Sequence, residues 1–269
     1  MSLSGMRLRV LSAIVLAIPA LLAVYIGFPV FDVVFGLAAL VMVWEWDRLC
    51  APAPRDGVTW LFGASVLLPV LFAIAGQPAL ALGALLAGFA VHYVAARGWR
   101  RPRPLLAAAG TVYIGVPLVA LLWLRHDAVY GMVTIFWLLA VVWATDTGAL
   151  FSGRAIGGPK LAPSISPNKT WSGFAGGVLA AVGVSVIAAL WFDVSNVIPL
   201  VALGAVLSVA SQLGDLLESA VKRYLKVKDS GNIIPGHGGI FDRVDGLLLA
   251  APMLAGVYLM AGGGAQLWR

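Results

Sequence analysis

The sequence predicts an all-α, polytopic membrane protein of about nine transmembrane helices with a cytoplasmic N-terminus. Three observations lead there. Of the 269 residues 61% are hydrophobic and only 11% charged, and the mean hydropathy is +0.96. A soluble domain carries about 25% charged residues. The apolar runs are continuous and about twenty residues long, the length of a spanning helix. A membrane β-barrel would alternate apolar and polar residues over about ten positions instead. Finally, the basic residues segregate. With nine spans, sixteen of the eighteen Lys and Arg residues fall on the side of the N-terminus, leaving Arg125 and Arg269 opposite. Cytoplasmic loops collect Lys and Arg, so the N-terminus is expected inside and the C-terminus outside. The net charge of +6 is thus read as topology, and no nucleic-acid partner is expected.

The nine spans are read at 9–27, 29–45, 59–76, 78–96, 105–124, 131–151, 173–192, 197–221 and 241–262. The first follows Arg7 and Arg9, as a signal peptide would. Its length, and the apolar run that follows almost at once, favour a span. Asp32, near the outer end of the second, is expected to reach interfacial water. That span closes with WEWDRL, Trp44 to Leu49, read as interfacial anchoring by aromatic and charged side chains, with Glu45 able to face the bundle. Between the fourth and fifth lies RGWRRPRP, Arg97 to Pro104, a basic, Pro-rich anchor and contact for anionic lipid. His92 and His126 have no partner at metal-ligand spacing and receive no role. Cys50 is the one cysteine, so no intrachain disulfide forms. No internal repeat is visible, which weighs against a transporter built on inverted repeats.

Polar chemistry concentrates in two inner segments. In the first, Asp146 sits in ATDTGALF inside the end of an apolar run, where ionisable groups are costly and usually functional. Gly and Pro then break the helix through SGRAIGGPKLAPSISPNKTWSG, Ser152 to Gly173. Lys160 and Lys169 are flexible point charges suited to phosphate. Ser172 is expected to cap the following span, whose N-terminus favours anions.

The second segment, Ser211 to Gly246, holds five of the twelve acids and five of the eighteen basic residues. Asp215, Ser219 and Lys222 are spaced to share one helix face. Asp242 and Asp245, i and i+3 at the start of the last span, are expected to share another. Asp146 and these three acids approach the cytoplasmic boundary, where crowded carboxylates resist ionisation unless a cation lies between them. Hard oxygen ligands with few histidines point to Mg²⁺. Lys222, Arg223, Lys226 and Lys228 supply anion contacts, and PGHGG, Pro235 to Gly239, lets backbone approach a phosphate. The plainer reading pairs Asp215 with Lys222 and Asp242 with Arg243. It accounts for only one or two of the acids, and Glu218, beside the Asp215 face, is not expected to be a ligand.

The run Ser219-Ala-Val-Lys222-Arg223, Lys228-Asp229-Ser230-Gly231 and Pro235-Gly236-His237-Gly238-Gly239-Ile240-Phe241-Asp242-Arg243-Val244-Asp245 resembles the signature of the phosphatidate cytidylyltransferases, also called CDP-diacylglycerol synthases. KLAPSISPNKTWSG and the preceding Asp146-Thr147 resemble that family's Lys-rich segment. Ser172 departs from it, where relatives are expected to carry an acid or amide. The resemblance spans roughly the C-terminal half. Length and composition suit one membrane-embedded domain, 1–269, with an N-terminal helical part, 1–130, and a catalytic part, 131–269, that carries these motifs. The resemblance implies that CTP and phosphatidate give CDP-diacylglycerol and diphosphate, with a divalent cation and a homodimer.

Phosphatidate's anionic oxygen needs no general base, so positioning and charge stabilisation should carry the reaction. Asp215, Asp242 and Asp245, with Ser219, are the expected Mg²⁺ ligands. Lys169, Lys222 and Arg243 are the expected phosphate clamp. Asp146 holds a second cation or orients Lys169. Lys160, Arg223, Lys226, Lys228 and His237 complete the substrate contacts. The location implied is a bacterial inner membrane with the active site facing the cytoplasm. A CTP-dependent polyprenol kinase and a transporter of an anionic solute are the competing readings.

Overall fold

The computed structural model describes residues 3–51, 56–231, 233 and 238–268, with side chains from residue 15 onward except that of 265. Among these residues the regular structure is helical apart from one two-stranded hairpin. The helices are α1 (Leu3–Ile26), α2 (Val30–Cys50), α3 (Gly57–Ile74), α4 (Pro78–Gly98), α5 (Pro104–Arg125), α6 (Gly131–Ile156), α7 (Trp171–Trp191), α8 (Val197–Tyr224), α9 (Phe241–Val244) and α10 (Leu247–Met260). Six of them, α3 to α8, are long and apolar enough to cross a membrane. This is an all-α integral membrane protein.

The chain divides into two compact units. One comprises Met1–His126 with Leu225–Val244, the other Asp127–Tyr224 with Asp245–Arg269. The first unit packs α2 and α5 against α3, and α4 against α3 and α5. Close approach depends on small residues, as membrane helices require. A Cβ at Gly110 would lie 2.5 Å from the Trp46 indole and 2.7 Å from the Phe62 ring. Asp56 caps α3 by accepting from the Val58 and Thr59 N–H groups.

Several polar residues find partners inside this unit. Arg101 is buried, 2.7 Å from Asp56 and 3.7 Å from Asp47, so this member of the basic RGWRRPRP segment anchors protein rather than lipid. His92 is a core residue, with Nδ1 3.0 Å from the Thr111 hydroxyl and its ring stacked on Phe62. Asp32 does not reach water as expected. It is buried and lies 2.8 Å from His126 Nε2.

In the second unit α6 and α7 meet through glycine. A Cβ at Gly148 would fall 2.7 Å from the Gly176 carbonyl oxygen, and one at Gly177 would fall 3.0 Å from that of Thr145. The α8 helix joins them by polar contacts: Thr145 Oγ1 lies 2.9 Å from Ser208 Oγ, and Gln212 Nε2 donates to the Phe174 carbonyl. Trp137 Nε1 donates to Ser185 Oγ, which donates in turn to the Ala181 carbonyl.

Two local differences from the sequence reading matter for the chemistry. The segment after α6 is a hairpin, β1 (Lys160–Ala162) against β2 (Ser166–Thr170), antiparallel with Lys160 opposite Thr170. The last expected span is broken. Asp245 and Gly246 form a turn between α9 and α10, so Asp242 and Asp245 do not share one helix. The 14 residues of α10 extend about 21 Å, short of a hydrocarbon core of about 30 Å.

Candidate active site

In the second unit α8 presents Asp215, Glu218, Ser219 and Lys222 on one face, the positions i, i+3, i+4 and i+7. Asp245 reaches the same place from the turn before α10. Its approach is set by two glycines. A Cβ at Gly214 would lie 2.5 Å from the Asp245 carbonyl oxygen, and one at Gly246 would collide with Ser211 Oγ. One carboxylate oxygen from each of Asp215, Glu218 and Asp245 lies within 4.8 Å of the others. Asp146, exposed on α6, adds repulsion at Asp245, and Lys169 adds attraction.

Cations from two directions offset this crowding. Lys169, on β2, places Nζ 2.5 Å from Asp215 Oδ2, and Lys222 places Nζ 3.0 Å from Glu218 Oε2. Asp215 also accepts from Ser219 Oγ at 3.4 Å, and Asp245 accepts from the Gly246 N–H at 2.7 Å. Lys169 is held by the hairpin, which ends where α7 begins. Thr170 rather than Ser172 caps α7, its hydroxyl accepting from the Gly173 N–H. Ser172 donates instead to the Gly157 carbonyl. Arg223 Nε donates to the Ile165 carbonyl at 3.2 Å, tying the end of α8 to the hairpin turn, while Lys160 is exposed on β1.

The pairing differs from the plain expectation of Asp215 with Lys222. Lys222 takes Glu218, four residues back along the same helix, and leaves Asp215 to Lys169. Glu218, not expected as a ligand, is 3% exposed and belongs to the cluster. Its position three residues after Asp215 was the available signal.

Asp242 belongs to the first unit. Its carboxylate accepts from the Ser230 N–H at 3.1 Å and the Gly239 N–H at 2.9 Å. Lys226, Lys228 and Arg243 are exposed in that unit. His237 lies outside the described residues. Within WEWDRL, Glu45, Trp46 and Asp47 are buried, Glu45 turning inward, while Trp44 is half-buried and Arg48 exposed. Glu45 accepts from the Ile240 and Phe241 N–H groups, each at 2.9 Å.

The carboxylate set suits a hard divalent cation. Three acids converge where like charges repel, and oxygen donors are what Mg²⁺ prefers. Acid and lysine clusters in an apolar helical protein suit one class well: membrane-embedded enzymes acting on phosphorylated substrates. The sequence places the chain within it. Residues 7–261 match the cytidylyltransferase family, and the chain belongs to that family of nucleotidyltransferases. It is 42% identical over 261 residues to a phosphatidate cytidylyltransferase of Brucella suis, covering 94% of this chain and 93% of that one. The corresponding protein of Haemophilus influenzae is 34% identical over 286 residues, covering 94% and 98%. That of Bacillus subtilis is 47% identical over 144 residues, about half of each chain.

Proposed function

We propose that this protein transfers the cytidylyl group of CTP to phosphatidate, giving CDP-diacylglycerol and diphosphate for phospholipid synthesis. Full-length likeness to proteins of that name supports the reaction. The observation that carries it is the set of three convergent carboxylates flanked by Lys169 and Lys222. Phosphatidate's phosphate oxygen forms a bond to the α-phosphorus of CTP. The bond from that phosphorus to the α,β-bridging oxygen breaks, and diphosphate leaves with the electron pair. The nucleophile is already an anion, so no side chain needs to remove a proton.

The obstacle is bringing two anions together. Asp215 and Asp245 are the proposed ligands for Mg²⁺, with Glu218 added by its position and Ser219 held against Asp215. When bound, the cation neutralises triphosphate charge. Lys169 and Lys222 sit among these carboxylates and would be the groups to contact phosphate oxygens. Asp146 adds charge at Asp245, for orientation of Lys169 or for a second cation. Arg223, beside the hairpin turn, and Lys160 are further anion contacts. Asp242, Arg243, Lys226 and Lys228 are assigned to metal and phosphate binding from the signature pattern. The proposed location is a bacterial inner membrane with these groups facing the cytoplasm, where CTP is found, as the basic asymmetry supports.

Purified protein in detergent, given phosphatidate, Mg²⁺ and CTP labelled in the cytidine, should transfer the label to lipid. Label arriving only from the γ-phosphate would make the protein a lipid kinase. Solute uptake into proteoliposomes without CTP turnover would make it a transporter.

A further inference from the structure

Glu45 is fully buried near the end of α2, and no cation pairs with it among the described residues. Its two oxygens are nevertheless satisfied. Oε1 accepts from the Ile240 N–H at 2.9 Å; Oε2 accepts from the Phe241 N–H at 2.9 Å and from Ser230 Oγ at 3.4 Å. All three donors belong to the segment leading to Asp242 and Arg243, nearly two hundred residues away in sequence. The neighbouring Trp46 stacks on the Phe241 ring at 5.5 Å between centroids, and Tyr113 lies at the same distance from that ring.

The glycines of this segment fit the same carboxylate. A Cβ at Gly239 would lie 2.6 Å from both Glu45 oxygens, and one at Gly231 would lie 2.9 Å from Oε1. Backbone thus approaches Glu45 where any side chain would be excluded. Both carboxylate oxygens face N–H donors. A carboxamide offers one acceptor and would turn its own N–H₂ toward the other donor.

We propose that Glu45 is a positioning residue for this reaction. Its buried carboxylate seats the backbone of Ile240 and Phe241 and so fixes where Asp242 and Arg243 stand. This rests on the cytidylyl-transfer reading for its consequence, but not for its geometry. Among the described residues of this segment the one turn of α9 is the regular helix, so Glu45 supplies at the helix start the acceptors that a fixed segment requires. Asp242 adds a second set by accepting from Ser230 and Gly239.

The test compares Glu45→Gln, Glu45→Ala and Ser230→Ala in the full-length protein. Hydrogen–deuterium exchange without substrates should be about tenfold faster or more at residues 238–243 in both Glu45 variants, and unchanged in α3 to α5. With phosphatidate and CTP, kcat of Glu45→Gln should fall about tenfold or more, with a midpoint lowered by no more than roughly 10 °C for the one buried donor left unmatched. Ser230→Ala, which loses one long hydrogen bond, should lose less than about threefold. Unchanged exchange at 238–243, or acceleration spread evenly over the unit with a matching fall in midpoint, would overturn the proposal. A wild-type protein that transfers no cytidylyl label, yet whose 238–243 segment loosens in Glu45→Gln, would overturn the reaction and uphold the seat.

Discussion

Two groups of carboxylates, one in each unit, are neutralised in opposite ways. Asp215, Glu218 and Asp245 face one another, and lysine side chains offset their charge. Glu45 and Asp242 are met by backbone N–H groups. A lysine can swing away when a cation or phosphate arrives, whereas a backbone donor cannot move without moving the chain. The lysine-paired carboxylates can thus exchange partners, whereas those met by backbone donors stay tied to their segment. Acids in an apolar protein need not be held alike, even when they lie three residues apart, as Asp242 and Asp245 do.

The sharpest way to break this comparison is to remove one acid from each group. Asp215→Asn or Asp245→Asn should lower kcat by roughly 10²-fold or more, with the thermal midpoint unchanged or raised because repulsion is relieved. Asp242→Asn should behave differently. It replaces charge-assisted acceptance from the Ser230 and Gly239 N–H groups with neutral hydrogen bonds, so stability should fall by about 1 kcal/mol along with activity. Equal stability in the Asp215 and Asp242 variants, measured by thermal melting in detergent, would erase the distinction.

Gly214→Ala tests how the first group is assembled. The new Cβ would press on the Asp245 carbonyl, which is backbone and cannot rotate away. A cost of about 1–3 kcal/mol is expected, with a loss of activity that added Mg²⁺ restores only in part. Full activity in this variant would show that Asp245 does not depend on the close approach of α8.

The smallest effect should come from Asp127, in the connection between α5 and α6. Burial alone would raise its carboxyl pKa. Hydrogen bonds from the Tyr130 N–H, the Tyr258 hydroxyl and the Val129 N–H outweigh this and hold it below the usual value of 3.8. A carboxyl depressed in the folded state contributes stability above its unfolded pKa, lost as pH falls through the folded one. Asp127→Asn should therefore melt roughly 2 °C below wild type at neutral pH. The gap should close as pH falls below about 4. A gap that persists at low pH would place the effect in packing instead.

Much of the fold was legible in the chain because membrane insertion is governed by local composition. A run of about twenty apolar residues reads as a helix whatever surrounds it. The signature from Ser219 to Asp245 was likewise legible, since it is a spaced pattern in one stretch. What was not legible depended on where helices end and what approaches them. The charged FDRVDG stretch leads straight into the apolar run from Leu247, and nothing in that pattern marks the turn at Asp245 and Gly246. Thr170 and Ser172 both suit an N-cap, and only the hairpin register selects Thr170. Helix spacing does not say how closely Asp245 comes, so it does not mark Glu218 as a member of the cluster.

By itself, then, the sequence determined the membrane class, the acidic and basic residues available, and the family to which the chain belongs. These are properties of composition and of short-range spacing. Tertiary structure alone decided that Lys169 meets Asp215, which leaves Lys222 to Glu218, four residues back on the same helix. It also decided that Glu45 meets Ile240 and Phe241. The reason is physical. Residues nearly two hundred positions apart are joined by packing of whole helices, and no local pattern of hydrophobicity or charge carries that information.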